Sequence, residues 1–169
     1  CLNIPQFEEK RFKVQKGKEI HLKKENENKT YLRKKLGAID KKINVDLYSQ
    51  KYKIKGIVDE VLTLNDNTMA PLDYKFAKFD EVLYKTYKEQ MLMYALMIEE
   101  MYDCKVKKCF LVYTRSSNLV KEFDVEEKDI SKLKKSIKEY FKVMEGFFPK
   151  ATTSKSRCID CCYKNICIK

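Results

Sequence analysis

Two acids and a lysine, Asp59, Asp73 and Lys75, carry the strongest chemical signal in this sequence. Asp73 and Lys75 stand two apart in LDYK, so on a β-strand both side chains face one way. Asp59 lies in GIVDEV, with thirteen residues between it and Asp73. A hairpin joining the two segments brings the two carboxylates together. Paired carboxylates repel, and a hard divalent cation with oxygen ligands relieves that repulsion. Such a cation acidifies a bound water and stabilises charge on a phosphoryl oxygen. Lys75 then stabilises developing negative charge or orients the attacking water. These are the requirements of phosphodiester hydrolysis. A D-x-K triplet alone is a weak signal in a lysine-rich chain, where it is often a surface ion pair. Its place in an otherwise apolar strand, after a similarly placed acid, gives it weight.

Gln90 and Tyr94 stand at i and i+4 of an expected buried helix, whose centre is the apolar segment MLMYALMI (91–98), and so share a helix face. A glutamine there needs a partner to offset desolvation, such as the lysine, a ligated water or a DNA phosphate. His21, in GKEIH, is the sole histidine. As a ligand it would add a nitrogen that suits Mn²⁺ better than Mg²⁺.

The cysteines fall at 1, 104, 109, 158, 161, 162 and 167, an odd count of seven. No basic stretch followed by an apolar run opens the chain, so neither a secretory leader nor a disulfide framework is expected. A reducing, cytoplasmic setting and metal ligation are expected instead. Cys158, Cys161 and Cys167 supply three thiolates, one short of a closed tetrahedral site, and Cys162 is an alternative to Cys161. Cys1 is the natural fourth, since chain ends often lie close together. Zinc and a [4Fe–4S] cluster both suit four thiolates. Cys109, in KCFLVYT, reads as a small core residue.

The positioning elements follow from periodicity. The sequence predicts a helix over 17–36, interrupted at 25–29. Alternation from Ile43 marks a strand, followed by strands over 52–64 and 69–77 around the Asn65-Asp66-Asn67 turn. A buried helix is expected over 80–102, a strand pair over 106–114 and 119–125, and an amphipathic helix over 129–146. That order implies an α/β fold with helices on a central mixed sheet.

The 36 basic residues against 25 acidic ones leave a net charge of +11, which favours a polyanionic partner, nucleic acid above all. An apolar content of 44% is too high for a disordered tail. No apolar run approaches the roughly 18 residues that span a bilayer, so no membrane partner is expected.

The ordered set Cys1, His21, Asp59, Asp73-Tyr74-Lys75, Gln90-x3-Tyr94 and Cys158-x2-Cys161-x5-Cys167 resembles the RecB-like nucleases of the PD-(D/E)xK superfamily. Within them it is most similar to the CRISPR-associated exonucleases of the fourth Cas family. The resemblance implies a restriction-endonuclease-like core with a Cys-rich segment joined to the N-terminus. The expected organisation is a single nuclease domain over 1–169. It divides into a helical part at 1–36, a core at 37–146 and a cluster-binding tail at 147–169. The resemblance further implies a [4Fe–4S] cluster on Cys1, Cys158, Cys161 and Cys167. It implies Mn²⁺ or Mg²⁺ on His21, Asp59, Asp73 and the Tyr74 carbonyl, with Lys75 as the catalytic lysine. Gln90 and Tyr94 would support the site and contact DNA. The implied activity is exonucleolytic cleavage of single-stranded or end-frayed DNA, 5′-to-3′, during CRISPR spacer acquisition beside the integrase complex. Self-association into a homo-oligomer is compatible with this. The family more often has glutamate where Asp73 stands. Two other readings compete: a RecB-like repair nuclease without a CRISPR role, and a non-catalytic nucleic-acid-binding module stapled by zinc.

Overall fold

The computed structural model describes residues 12–27, 29–159 and 161. Helix α1 spans Phe12–Glu27 and ends where the charged interruption was expected. A short 3-10 turn, Lys34–Leu36, closes on Gly37, whose φ of 78° is the left-handed conformation that glycine adopts freely. Five strands follow, with helices between and after them. They are β1 (Ala38–Ser49), β2 (Ile54–Leu64), β3 (Met69–Lys75), β4 (Lys108–Tyr113) and β5 (Leu119–Asp124). Helix α2 (Lys85–Tyr102) joins β3 to β4, α3 (Glu127–Met144) follows β5, and the short α4 is Lys155–Ile159.

The strands pair in sequence order. All pairings are antiparallel except β3 with β4, where Lys75 registers with Tyr113. A parallel pair cannot be closed by a tight turn, so a crossover is required, and α2 supplies it. The mixed sheet flanked by helices matches the expected fold.

Each sheet face has its own core. Val61, Leu111 and Tyr113 pack on Met91, Ala95 and Ile98 of α2. Leu62, Leu72, Phe110 and Val112 face the other way, beside Leu32 and Leu36. β3 lies between two strands, and all of its residues but Lys75 are buried. Leu92 and Leu96 on the outer side of α2 meet Leu133 and Ile137 of α3. Helix α2 is therefore covered on two sides, as its all-round apolar sequence requires. Each fully buried Leu- or Met-sized side chain contributes about 1.5–3 kcal/mol.

The helix expected over 17–36 instead runs from Phe12 and, among the described residues, does not resume beyond Glu27, where only the 3-10 turn Lys34–Leu36 forms. Two further boundaries differ from expectation. β1 starts at Ala38, five residues before the alternation becomes visible, because Asp40, Lys41 and Lys42 occupy an edge strand with one face in solvent. Helix α2 starts at Lys85 rather than residue 80. Glu81 has a φ of 56°, incompatible with a right-handed helix, and Phe79 and Leu83 turn inward from a loop to pack on the core.

The far face of the sheet also carries a buried polar cluster. Glu60 is 2% exposed and accepts from the Tyr74 hydroxyl at 2.6 Å and from Arg33 Nε at 3.3 Å. The Arg33 guanidinium also donates to the Tyr74 hydroxyl. Burial first, and then Glu60, push the Tyr74 phenol well above its ordinary pKa.

Candidate active site

Asp59 and Asp73 reach one cleft because of strand register. β2 and β3 pair with Glu60 opposite Leu72, so the next step outward sets Asp59 against Asp73. Odd-numbered residues of β3 face α2 and even-numbered ones face away. Asp73 and Lys75 therefore share a side while the ring of Tyr74 lies on the other. The cleft encloses about 400 Å³, and His21, Asp59, Asp73, Lys75, Gln90 and Tyr94 all line it. Every protein side chain expected in the nuclease centre is thus brought together.

Asp59 is held at both oxygens. The Tyr74 amide donates to Oδ2 at 2.7 Å, and His21 Nδ1 lies 2.6 Å from Oδ1. A carboxylate only accepts, so Nδ1 carries the proton and Nε2 is the nitrogen left to bear a lone pair in the neutral ring. The hydrogen bond to Asp59 raises the His21 pKa above its ordinary value, against the opposing effect of burial.

Asp73 is 3% exposed, and this burial raises its pKa. The nearby Asp59 charge acts in the same direction, and Lys75 opposes it. Lys75 Nζ lies 2.7 Å from Oδ2, outside hydrogen-bonding geometry, and that buried oxygen has no hydrogen-bond partner among the described residues.

Lys75 starts a hydrogen-bond chain whose direction is set by chemistry. Its Nζ donates to Gln90 Oε1 at 2.6 Å. The lysine has no acceptor, so the amide must present its oxygen here and its nitrogen elsewhere. Gln90 Nε2 donates to the Tyr94 hydroxyl at 2.8 Å, which donates to the Ile57 carbonyl at 2.8 Å. The partner that Gln90 needs is thus the lysine. Burial and the Asp73 charge push the Tyr94 phenol up to about 12, so it remains a donor.

The donor set fits a divalent cation. Two carboxylates converge, one buried oxygen is met only by the Lys75 ammonium, and a histidine nitrogen and the β3 backbone adjoin them. In the described geometry no three His, Cys, Asp or Glu side chains are yet close enough together to hold an ion. His21 and Asp59 grip each other, and Asp73 faces Lys75.

Cys158 and Cys161 are half-buried and joined through a 3.4 Å hydrogen bond from the Cys161 amide to the Cys158 carbonyl. Cys1 and Cys167, the other expected ligands, lie outside the described residues. Cys109 is a core residue, its thiol pKa raised by burial. Sequence reasoning missed the Arg33–Glu60–Tyr74 cluster that anchors β3 from behind. Its only trace is Glu60 beside Asp59, of opposite parity in an apolar strand.

Residues 6–168 match the PD-(D/E)XK nuclease superfamily. A CRISPR-associated exonuclease Cas4 from Francisella tularensis subsp. novicida (strain U112) is 31% identical over 157 residues, covering 91% of this chain and 77% of that protein. The crystal structure of SSO0001 superposes with a TM-score of 0.56 at 19% identity, over 91% of this chain and 69% of that one. The last likeness speaks to fold alone. With the acids, lysine and glutamine gathered in one cleft, the match over nearly the whole length shows that the chain belongs to the PD-(D/E)XK nuclease superfamily, as a Cas4-like member of its RecB-type branch.

Proposed function

We propose that this protein is a divalent-metal-dependent exonuclease that degrades single-stranded or frayed DNA ends from 5′ to 3′. Its role would be to trim spacer precursors beside the CRISPR integrase. The observation that carries the reading is the convergence of Asp59, Asp73 and Lys75 in one cleft on a chain of net charge +11. The CRISPR assignment draws on the 31% identity to the Francisella exonuclease.

Asp59, Asp73, His21 and the Tyr74 carbonyl would hold Mn²⁺ or Mg²⁺. When bound, such a cation polarises a phosphoryl oxygen and lowers the pKa of a water. Lys75 carries three N–H donors; Asp73 and Gln90 orient it, so a remaining N–H can reach the phosphoryl oxygen or the attacking water. Gln90 and Asp73 hold the ammonium between them, and Tyr94 fixes the amide. Asp59 positions His21 and, through the Tyr74 amide, the backbone between the two catalytic residues of β3.

In the tail, we assign Cys158 and Cys161, with Cys1 and Cys167, to a [4Fe–4S] cluster. The C-x2-C turn sets the first two thiols on one bend, which suits joint ligation.

The test is digestion of single-stranded DNA, labelled at either end, with Mn²⁺ or Mg²⁺. The wild type should shorten it from the 5′ end, and Asp73→Ala and Lys75→Ala should not. Equal digestion by all three proteins would overturn the assignment. Anaerobically purified protein should be brown, whereas a colourless, zinc-loaded protein would point to a zinc staple.

A further inference from the structure

We infer that Asn44 is a substrate-positioning residue whose side-chain amide donates a hydrogen bond to a phosphate oxygen of the DNA strand in the cleft. The inference rests on the nuclease reading above and adds a residue to it.

Three observations meet at Asn44. The first is register. Ile43 pairs with Glu60 and Val45 with Val58, so Asn44 falls between these pairs, level with Asp59, at a step where the ladder itself is not paired. Directly opposed residues of an antiparallel pair project on the same side. The second is the cleft itself, which Asn44 lines together with Asp59, Asp73 and Lys24. The third is backbone strain. Asn44 has a φ of 50°. Among the described residues, the other non-glycine positions with positive φ, namely Lys53, Asn67, Glu81, Asp103, Ser117 and Asn118, lie in turns, loops or a helix end. Asn44 alone holds this conformation inside a strand. The register is the same on either side of it, so no inserted residue accounts for it, although the ladder is interrupted at this one step.

Strain of this kind persists where the surroundings enforce it, and it gathers at functional sites. Glycine would meet the same backbone demand without strain. What asparagine adds is a carboxamide, and this one makes no hydrogen bond to another described residue. Its NH₂ group is a donor beside acids that a bound cation would neutralise. The group brought to such acids during phosphodiester cleavage is a phosphate. Amide side chains commonly donate to phosphate oxygens and so set the register of a strand. Lys24 lines the same rim, its ammonium paired with Glu27 at 2.8 Å.

The variant Asn44→Gly separates this role from a structural one, because it removes the amide and relieves the backbone together. The protein should melt at the same or a higher temperature. Its affinity for single-stranded DNA should nevertheless fall roughly tenfold or more, the loss expected for a hydrogen bond to a charged group. Asn44→Asp keeps the shape but places a carboxylate against the phosphate, so it should bind more weakly still. Affinity is read by fluorescence anisotropy in the non-cleaving Lys75→Ala background, in Mn²⁺, with oligonucleotides carrying one neutral methylphosphonate linkage at successive positions. In the Asn44 protein one linkage should cost about tenfold, and in Asn44→Gly that same linkage should cost nothing further. Affinities within twofold of each other, or equal penalties at every linkage, would overturn the assignment. Coupling to an abasic position instead would move the contact to a base and equally refute it. Failure of the parent enzyme to cut DNA would count against the nuclease reading, while the binding comparison still decides Asn44.

Discussion

The ring of Tyr94 passes 3.1 Å from the point where a Cβ on Gly56 would stand. That approach lets the Tyr94 hydroxyl reach the Ile57 carbonyl and hold Gln90 against Lys75. Gly56→Ala should push the ring back and break the chain from its far end. We expect a stability loss of about 1–3 kcal/mol from overpacking. The drop in kcat should be at least tenfold, larger than that of Tyr94→Phe, which loses the hydroxyl but keeps the packing. Thermal melts and single-turnover cleavage rates, run side by side, check both.

Asp73, a buried charge, and Lys75, a half-buried one, are kept together for chemistry rather than for stability. Exchanging both for neutral groups of similar shape, Asp73→Asn with Lys75→Met, removes two desolvation penalties at once. The double variant, without divalent metal, should be at least as stable as the parent, by up to about 1–4 kcal/mol, and inactive. Lys75→Met alone should be destabilised, because it strands Asp73 at 3% exposure. Urea unfolding of the single and double variants would measure the coupling.

Binding of a divalent cation should stabilise the folded protein, because the unfolded chain has no site. At a concentration a hundred times Kd the gain is about 2.7 kcal/mol. Melting temperature should climb with Mn²⁺ and return on chelation. Asp73→Ala should abolish the response. A flat titration of the wild type would remove the cation from Asp59 and Asp73.

Arg33 lies on the face opposite the cleft, yet its loss should be among the costlier single changes. Arg33→Met leaves Glu60 buried at 2% exposure, with Lys41 Nζ at 3.9 Å as a cationic neighbour. Breaking one side of a buried ion pair costs about 3–5 kcal/mol. Equilibrium denaturation would show it, and adding Glu60→Gln should recover part of the loss.

The order of strands and helices, and the grouping of Asp59, Asp73, Lys75, Gln90 and Tyr94, were legible from spacing because period-two and period-3.6 patterns state which side chains share a face. His21 belonged to the site too, although its helix reaches the cleft only through tertiary packing that periodicity does not encode. The start of β1 was hidden by Asp40, Lys41 and Lys42, since an edge strand needs no alternation where both neighbours are polar. The late start of α2 was hidden because Phe79 and Leu83 sit at apolar spacing that suits a helix as well as a packed loop. Glu60 and Asn44 were illegible for a shared reason. One pairs with an arginine from a distant turn, and the other owes its meaning to the residue across the ladder.

Asp59 and Glu60 are neighbours in the chain and both hold Tyr74, one by its amide and the other by its phenol. Sliding β2 by a single position would swap their sides. Glu60 would then enter the cleft, and Asp59 would be sunk behind the sheet, too short to meet Arg33. Misaligned pairing is therefore penalised on both surfaces at once, and the two consecutive acids act as a proofreading device for the assembly of the sheet.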